Sequence, residues 1–209
     1  MTKQTVNLQA PFRRSSSLLP KKYRWWHAAA LGVLANVASA LPAGYNGDDP
    51  YYESLRTPPA SPPGWAFAPA WAINNILTLR SNLIIANLPT HTPGRREALV
   101  SEGASWALFA SFSGLYFGLR SPILGAANTV AGLASTTHGV ITTSRIDKTA
   151  TLLLLPRLGW LAYAAYVSVG TAARSRDDLF NITPLPPTQP RQDALTDQHT
   201  NETEASHTK

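Results

Sequence analysis

Five stretches nearly free of charge, residues 26–43, 65–88, 103–119, 121–144 and 149–173, constrain the fold of this chain more than any other feature. Each is long enough to cross a hydrocarbon core of roughly 30 Å as a helix, which takes about 17 to 25 mostly apolar residues. The fourth has no formal charge over 24 residues and no polar stripe of the kind that a water-facing helix needs. The averages conceal this: a mean hydropathy of −0.10 and 44% apolar residues match an ordinary soluble domain. Charge is instead segregated into ends and loops. The pattern predicts an all-α membrane protein, a compact bundle of five transmembrane helices over residues 26–173. A basic tail, 1–25, precedes it, and a polar, disordered tail, 174–209, follows it.

Between the first two stretches runs Tyr51-Tyr52-Glu53-Ser54-Leu55-Arg56-Thr57-Pro58-Pro59-Ala60-Ser61-Pro62-Pro63-Gly64-Trp65-Ala66-Phe67-Ala68-Pro69-Ala70-Trp71. Four prolines in six positions, 58 to 63, fix their own φ and bias the preceding residues away from helix, so this loop is shaped before any ligand arrives. Trp65, Phe67 and Trp71 follow directly, where bulky rings suit a headgroup level or a pocket edge. The segment reads as a rigid lid over an aromatic cavity.

Spacing of three and four along each helix groups the faces. Trp71, Asn75, Thr78 and Asn82 share one stripe on the second span, and Phe109, Phe112 and Tyr116 share one on the third. On the fifth, Pro156, Trp160, Ala164 and Ser168 align, with Tyr163 beside them. Aromatic walls carrying a few polar groups suit a flat, mostly apolar ligand; the alternative is that these rings simply fill the core. Ala164, Ala165 and Ser168 are small enough to leave room opposite the rings. Arg80 and Arg157 are costly in lipid, about 2.5 to 3.5 kcal/mol each at a helix centre, unless they snorkel to an interface. His138 reads as an interhelical hydrogen-bonding residue, and no second histidine at helical spacing completes a metal site. Small residues recur every four on the third span (Gly103, Ala107, Ser111; Ala110, Gly114, Gly118) and every seven on the fourth (Gly125, Gly132, Gly139), which offers grooves for close packing or pairing.

The loop resembles the TspO/MBR family, the tryptophan-rich sensory and translocator proteins. Tyr52, Leu55, Pro58, Pro62, Pro63, Trp65, Phe67, Pro69 and Trp71 fit its pattern in register, with Tyr51 for the leading Trp and Thr57 for the Lys. Two weaker echoes follow, at residues 112–118 and 153–164, with Phe112 in place of a Trp and Arg157 in place of a Tyr. Asn75 stands where the family often has Tyr. The resemblance implies an integral membrane protein that binds or transports tetrapyrroles (protoporphyrin IX, haem) or sterols such as cholesterol, with homodimers reported. It implies no required cofactor and no catalysis; light- or oxidant-dependent porphyrin degradation is the alternative, as is a purely structural membrane protein. The ligand-binding residues it implies, together with those of the stripes, are Tyr52, Trp65, Phe67, Trp71, Asn75, Phe112, Trp160, Tyr163, Ala164 and Ser168. The family suggests the mitochondrial outer membrane, then the endoplasmic reticulum. The forward sterol motif is broken, because Tyr163 and Tyr166 meet no basic residue before Arg174; a reversed one, Arg157, Tyr163, Val167, is present. Tetrapyrrole is therefore favoured over sterol.

A formal net charge of +6 does not mark a nucleic-acid binder, since it gathers in the N-terminal tail and the membrane flanks. Residues 1–25 hold six Lys or Arg and no acid, a positive-inside tail that places the N-terminus in the cytosol. With no cysteine, disulfides, thiolate catalysis and zinc–cysteine sites are excluded. No nucleotide loop, hydrolase serine motif or paired-carboxylate site is present; Asp48, Asp49 and Glu53 beside the lid read as solvated loop acids.

Overall fold

A computed structural model describes residues 22–41 and 48–184, which form an all-helical structure. The helices are α1 (Trp25–Ala40), α2 (Asp48–Ser54), α3 (Phe67–Ala86), α4 (Arg95–Ser113), α5 (Pro122–Ser144) and α6 (Lys148–Arg174). Five long helices match the five charge-poor stretches, and α2 is a sixth, short helix in the first loop that the sequence reading did not anticipate. By length and composition, α6 alone among the described helices is apolar enough to cross a membrane. α1 has 16 residues, α4 includes Arg95, Arg96, Glu97 and Glu102, and α5 is rich in Thr, Ser and Gly.

Local chemistry sets the helix ends. Ser121 opens α5 by accepting a hydrogen bond from the Leu124 amide (3.1 Å), with Pro122 in the first turn; Asp147 opens α6 by accepting from the Ala150 amide (2.8 Å). Arg95 donates from Nε to the Ile85 carbonyl (3.2 Å) and from Nη2 to the Ala86 carbonyl (2.7 Å), placing a cation on the last carbonyls of α3. The end of α4 passes into a π-helical turn, Gly114–Gly118, which turns Tyr116 onto α5. There a Cβ at Gly125 would overlap the Tyr116 ring.

The long helices form a ring in the order α1, α3, α6, α5, α4, with α3 also touching α4 across it. Its interior is unusually polar. Thr78, Ser81, Ser105, Asn128, Thr129, Thr136, Thr143, Ser168 and Thr171 are buried, whereas Leu31, Leu34, Ile73, Ile76, Val100, Val130, Ile141, Leu152 and Val169 are exposed on the outer faces. Gly125, Gly132 and Gly139 of α5 all face neighbouring helices, whereas a Cβ at Gly103 would meet nothing within 4 Å. Internal packing therefore uses the seven-residue glycine series, while Gly103, Ala107 and Ser111 remain on an exposed face.

The chain continues in ordered contact beyond α6. The buried Asp177 carboxylate accepts from Ser121 Oγ (2.7 Å), the Ile123 amide (3.0 Å) and the Phe180 amide (3.0 Å), and Asp177 bridges to Ile182. Burial raises its pKa, but these hydrogen bonds together outweigh that and hold it below the usual carboxylate value. Residues 174–184 thus lie against the bundle, while the rest of the expected C-terminal tail, and all but the end of the N-terminal one, fall outside the described residues. At that end, Asn87 grips the Tyr23 backbone, accepting from its amide and donating to its carbonyl, both at 2.9 Å.

Candidate functional site

The proline loop closes one end of the ring. Residues 55–63 carry no helix, and the chain then makes a single 3-10 turn, Gly64–Ala66, into α3. Two tyrosines of α6 hold this loop by its carbonyls: Tyr163 Oη donates to Ala60 (2.6 Å) and Tyr166 Oη to Pro59 (3.0 Å). Tyr52 Oη donates to the Pro62 carbonyl (3.0 Å), and the Arg56 amide donates to Ser175 Oγ (2.8 Å). Pro58 packs so closely on α6 that a Cβ at Gly170 would lie 2.7 Å from its Cγ. Burial, with help from Asp178 and Asp177, pushes the Tyr51 hydroxyl up to about 12, so α2 presents a neutral phenol beside the lid at any physiological pH.

Each tyrosine-to-loop hydrogen bond adds about 1 kcal/mol. The double variant Tyr163→Phe/Tyr166→Phe is therefore expected to speed hydrogen exchange in residues 55–63 roughly tenfold or more, leaving α4 and α5 unchanged. Equal exchange in the two proteins would mean that proline stiffness alone holds the lid.

Next to the loop, where Phe67 meets Tyr52 edge to face at 5.5 Å, lies a cavity of about 70 Å³ bounded by α3, α4, α5 and α6. Phe67, Trp71, Phe109 and Phe112 form its aromatic wall, and Ser105, Asn128, Thr129, Arg157 and Ser168 supply its polar lining. The rings interlock: Trp71 lies 5.0 Å from Phe109, Phe67 meets Trp160 edge to face at 5.8 Å, and Phe112 stacks on Tyr116 at 5.2 Å.

Of the residues expected at the site, Phe67, Trp71, Phe112, Ala164 and Ser168 line this cavity together. Trp160 stands just behind, against Phe67, Trp71 and Tyr163, with its Nε1 buried and unpartnered. Tyr52 and Tyr163 serve the lid, through Pro62 and Ala60. Asn75 is buried elsewhere on α3, both of its amide atoms without partners, and Trp65 is 75% exposed, outside the cavity. His138 makes the interhelical hydrogen bond expected of it, Nδ1 to Ser101 Oγ at 2.6 Å. Arg80 is exposed, in keeping with an outward-reaching side chain.

Sequence reasoning left open whether Arg157 alters the pocket or reaches the headgroups; it is 2% exposed and lines the cavity. It also passed over Asn128 and Thr129, whose helix showed small residues rather than an aromatic stripe. Glu102 was missed as well. It is buried in mid-α4, where, with the Asn82 amide in the orientation its neighbours require, Asn82 donates to Glu102 Oε2 (3.0 Å) and accepts from Trp106 Nε1 (2.8 Å). Glu102 and Trp106 also border a larger groove, about 580 Å³, between α1, α3 and α4, which none of the expected ligand residues lines.

Comparison with known proteins agrees with this arrangement. The sequence profile of the TspO/MBR family matches residues 28–174. The chain is 28% identical to the tryptophan-rich protein TspO of Chlorobaculum tepidum over 66% of its own length and 85% of that protein. It is 26% identical to the tryptophan-rich protein TspO of Archaeoglobus fulgidus, over 65% and 91% of the two chains. With the translocator protein homolog of Schizosaccharomyces pombe it shares 30% identity over 57% of its length and 74% of the homolog. With the family's profile spanning the whole bundle, the lid and the cavity beneath it, the chain belongs to the TspO/MBR family of membrane proteins.

Proposed function

We propose that the bundle spans a membrane with all five long helices and binds a flat, largely apolar molecule under the first loop, a tetrapyrrole such as protoporphyrin IX or haem ahead of a sterol. The distribution of side chains supports the membrane reading. Helices with Thr, Ser and Asn inside and Leu, Ile and Val outside are suited to lipid, where small and polar residues pack the interior and apolar ones meet acyl chains. In water the same exposed faces would be an aggregation hazard.

The observation that carries the ligand reading is the aromatic wall of Phe67, Trp71, Phe109 and Phe112 facing a polar lining beneath a pre-shaped loop. A cavity of about 70 Å³ has the volume of only two or three water molecules at about 30 Å³ each, against the 300 to 1,000 Å³ usual for ligand pockets. Binding therefore requires the loop to lift and the rings to part. The compartment proposed is the mitochondrial outer membrane, with the endoplasmic reticulum as the alternative that cell fractionation would reveal.

The test is a titration in the dark of nanodisc-embedded protein with protoporphyrin IX, and separately with cholesterol, read by porphyrin absorbance and by competition. Saturable micromolar porphyrin binding is expected, weakened at least tenfold by Trp71→Ala. Saturable cholesterol binding with none for porphyrin would move the ligand to the sterol class. Absence of both from well-folded protein would leave a structural role for the bundle, and loss of porphyrin absorbance with a new product would make the site catalytic.

A further inference from the structure

Arg157 is a full cation placed at membrane depth inside the bundle, and its hydrogen bonding is incomplete. Nη2 donates to the Ser105 carbonyl (3.1 Å) and the guanidinium lies 5.3 Å from the Trp106 ring centroid, but Nε and Nη1 are buried without a partner. Buried donors in native proteins are nearly always paired, and a cation left partly unpaired in a low-dielectric interior is costly. The nearest candidate partner does not fill the gap. No carboxylate stands within 4.0 Å of Arg157 among the described residues. Glu102 Oε2 is engaged by Asn82, and Oε1 lies against Gly139.

Arg157 is part of the lining of the cavity. Ser105, Trp71 and Phe112 line the same cavity, so a molecule seated against the rings comes within reach of the cation. At the matching position the family resemblance has a tyrosine, which offers one neutral hydroxyl; here the site offers a permanent positive charge. We propose that Arg157 binds a carboxylate group of the ligand, so that the site selects an apolar, ring-bearing acid over its neutral counterpart. A carboxylate suits the site because its oxygens accept from guanidinium N–H donors and each such group brings one negative charge to one arginine. The inference rests on the ligand pocket proposed above and adds the chemical group that it recognises.

The test compares acids with neutral partners of the same shape in nanodiscs: protoporphyrin IX against its dimethyl ester, and, as a pair independent of tetrapyrroles, 1-pyrenebutyrate against 1-pyrenebutanol. Wild type is expected to prefer the acid by tenfold or more in at least one pair. Arg157→Gln and Arg157→Tyr should abolish that preference, bringing the acid-to-neutral affinity ratio to about one, and Arg157→Lys should restore part of it. Because the wild-type preference is read without any variant, misfolding of a variant cannot mask the answer. A preference in the pyrene pair with no binding of either porphyrin would sustain the carboxylate site while rejecting tetrapyrroles. Equal binding of acid and neutral partner in both pairs would overturn the proposal and leave the pocket itself standing; no binding of any probe would overturn both.

Discussion

Gly125→Ala is expected to lower the apparent melting temperature of the detergent-solubilised protein by about 10 °C. One methyl group does this because its Cβ would overlap the Tyr116 ring, and that ring has little room to move. Tyr116 is 4% exposed, stacked on Phe112 and met edge-on by Tyr51 and Phe117. Overpacking of this kind costs roughly 3 kcal/mol, and about 3 °C per kcal/mol applies at this chain length. The π-helical turn that ends α4 exists to press Tyr116 onto α5, so moving the ring also disturbs the wall at Phe112. Gly103→Ala is the control: a Cβ there meets nothing within 4 Å, and the helix gains from losing a glycine. Equal melting temperatures for Gly125→Ala and wild type would show that the turn is softer than its contacts imply.

The second large effect concerns Asn82. Its amide joins two otherwise stranded groups, the Glu102 carboxylate and the Trp106 indole N–H, inside a bundle where water does not compete. Asn82→Leu removes a donor and an acceptor together. Each buried group left unsatisfied costs about 1 to 3 kcal/mol, more for a charge, so a total of about 4 kcal/mol is expected. Thermal unfolding monitored by far-ultraviolet circular dichroism checks this. In Asn82→Leu/Glu102→Leu part of the loss should return, because the stranded carboxylate is gone while the Trp106 N–H stays unpartnered. Additive losses in the double variant would contradict the pairing of these two residues.

Much of the fold was legible because charge gathers at helix ends, and α5 and α6 begin and end within a residue of their charge-poor stretches. That same signal failed at α4. The stretch appeared to begin at residue 103, yet the helix starts at Arg95, since Arg95 caps α3 and Glu102 turns inward to Asn82. A charge is a boundary only when it faces water or headgroups. The short α2 gave no periodicity to read, in a stretch of three acids, a proline, two tyrosines and a serine. The lid was legible because proline acts locally, through φ, whatever the tertiary context. Trp65 was read into the cavity from its place in the motif, but the 3-10 turn at Gly64–Ala66 sends it outward, and three residues hold no face to read. Arg157 was legible as an anomaly in a helix and no further. Its burial depends on Ser105 and Trp106, 50 residues away in sequence, and only the assembled ring of helices brings them together.

The central claim is that the cavity under the proline loop is where the ligand sits. Hydrogen exchange of the nanodisc-embedded protein, with and without saturating protoporphyrin IX, tests it most directly. The account predicts altered exchange in the loop, residues 55–66, and in the cavity-facing turns of α3 and α6 around Trp71 and Arg157, with α1 unchanged. Saturable binding whose protection falls instead on α1 and the facing residues of α3 and α4 would place the ligand in the outer groove and contradict it.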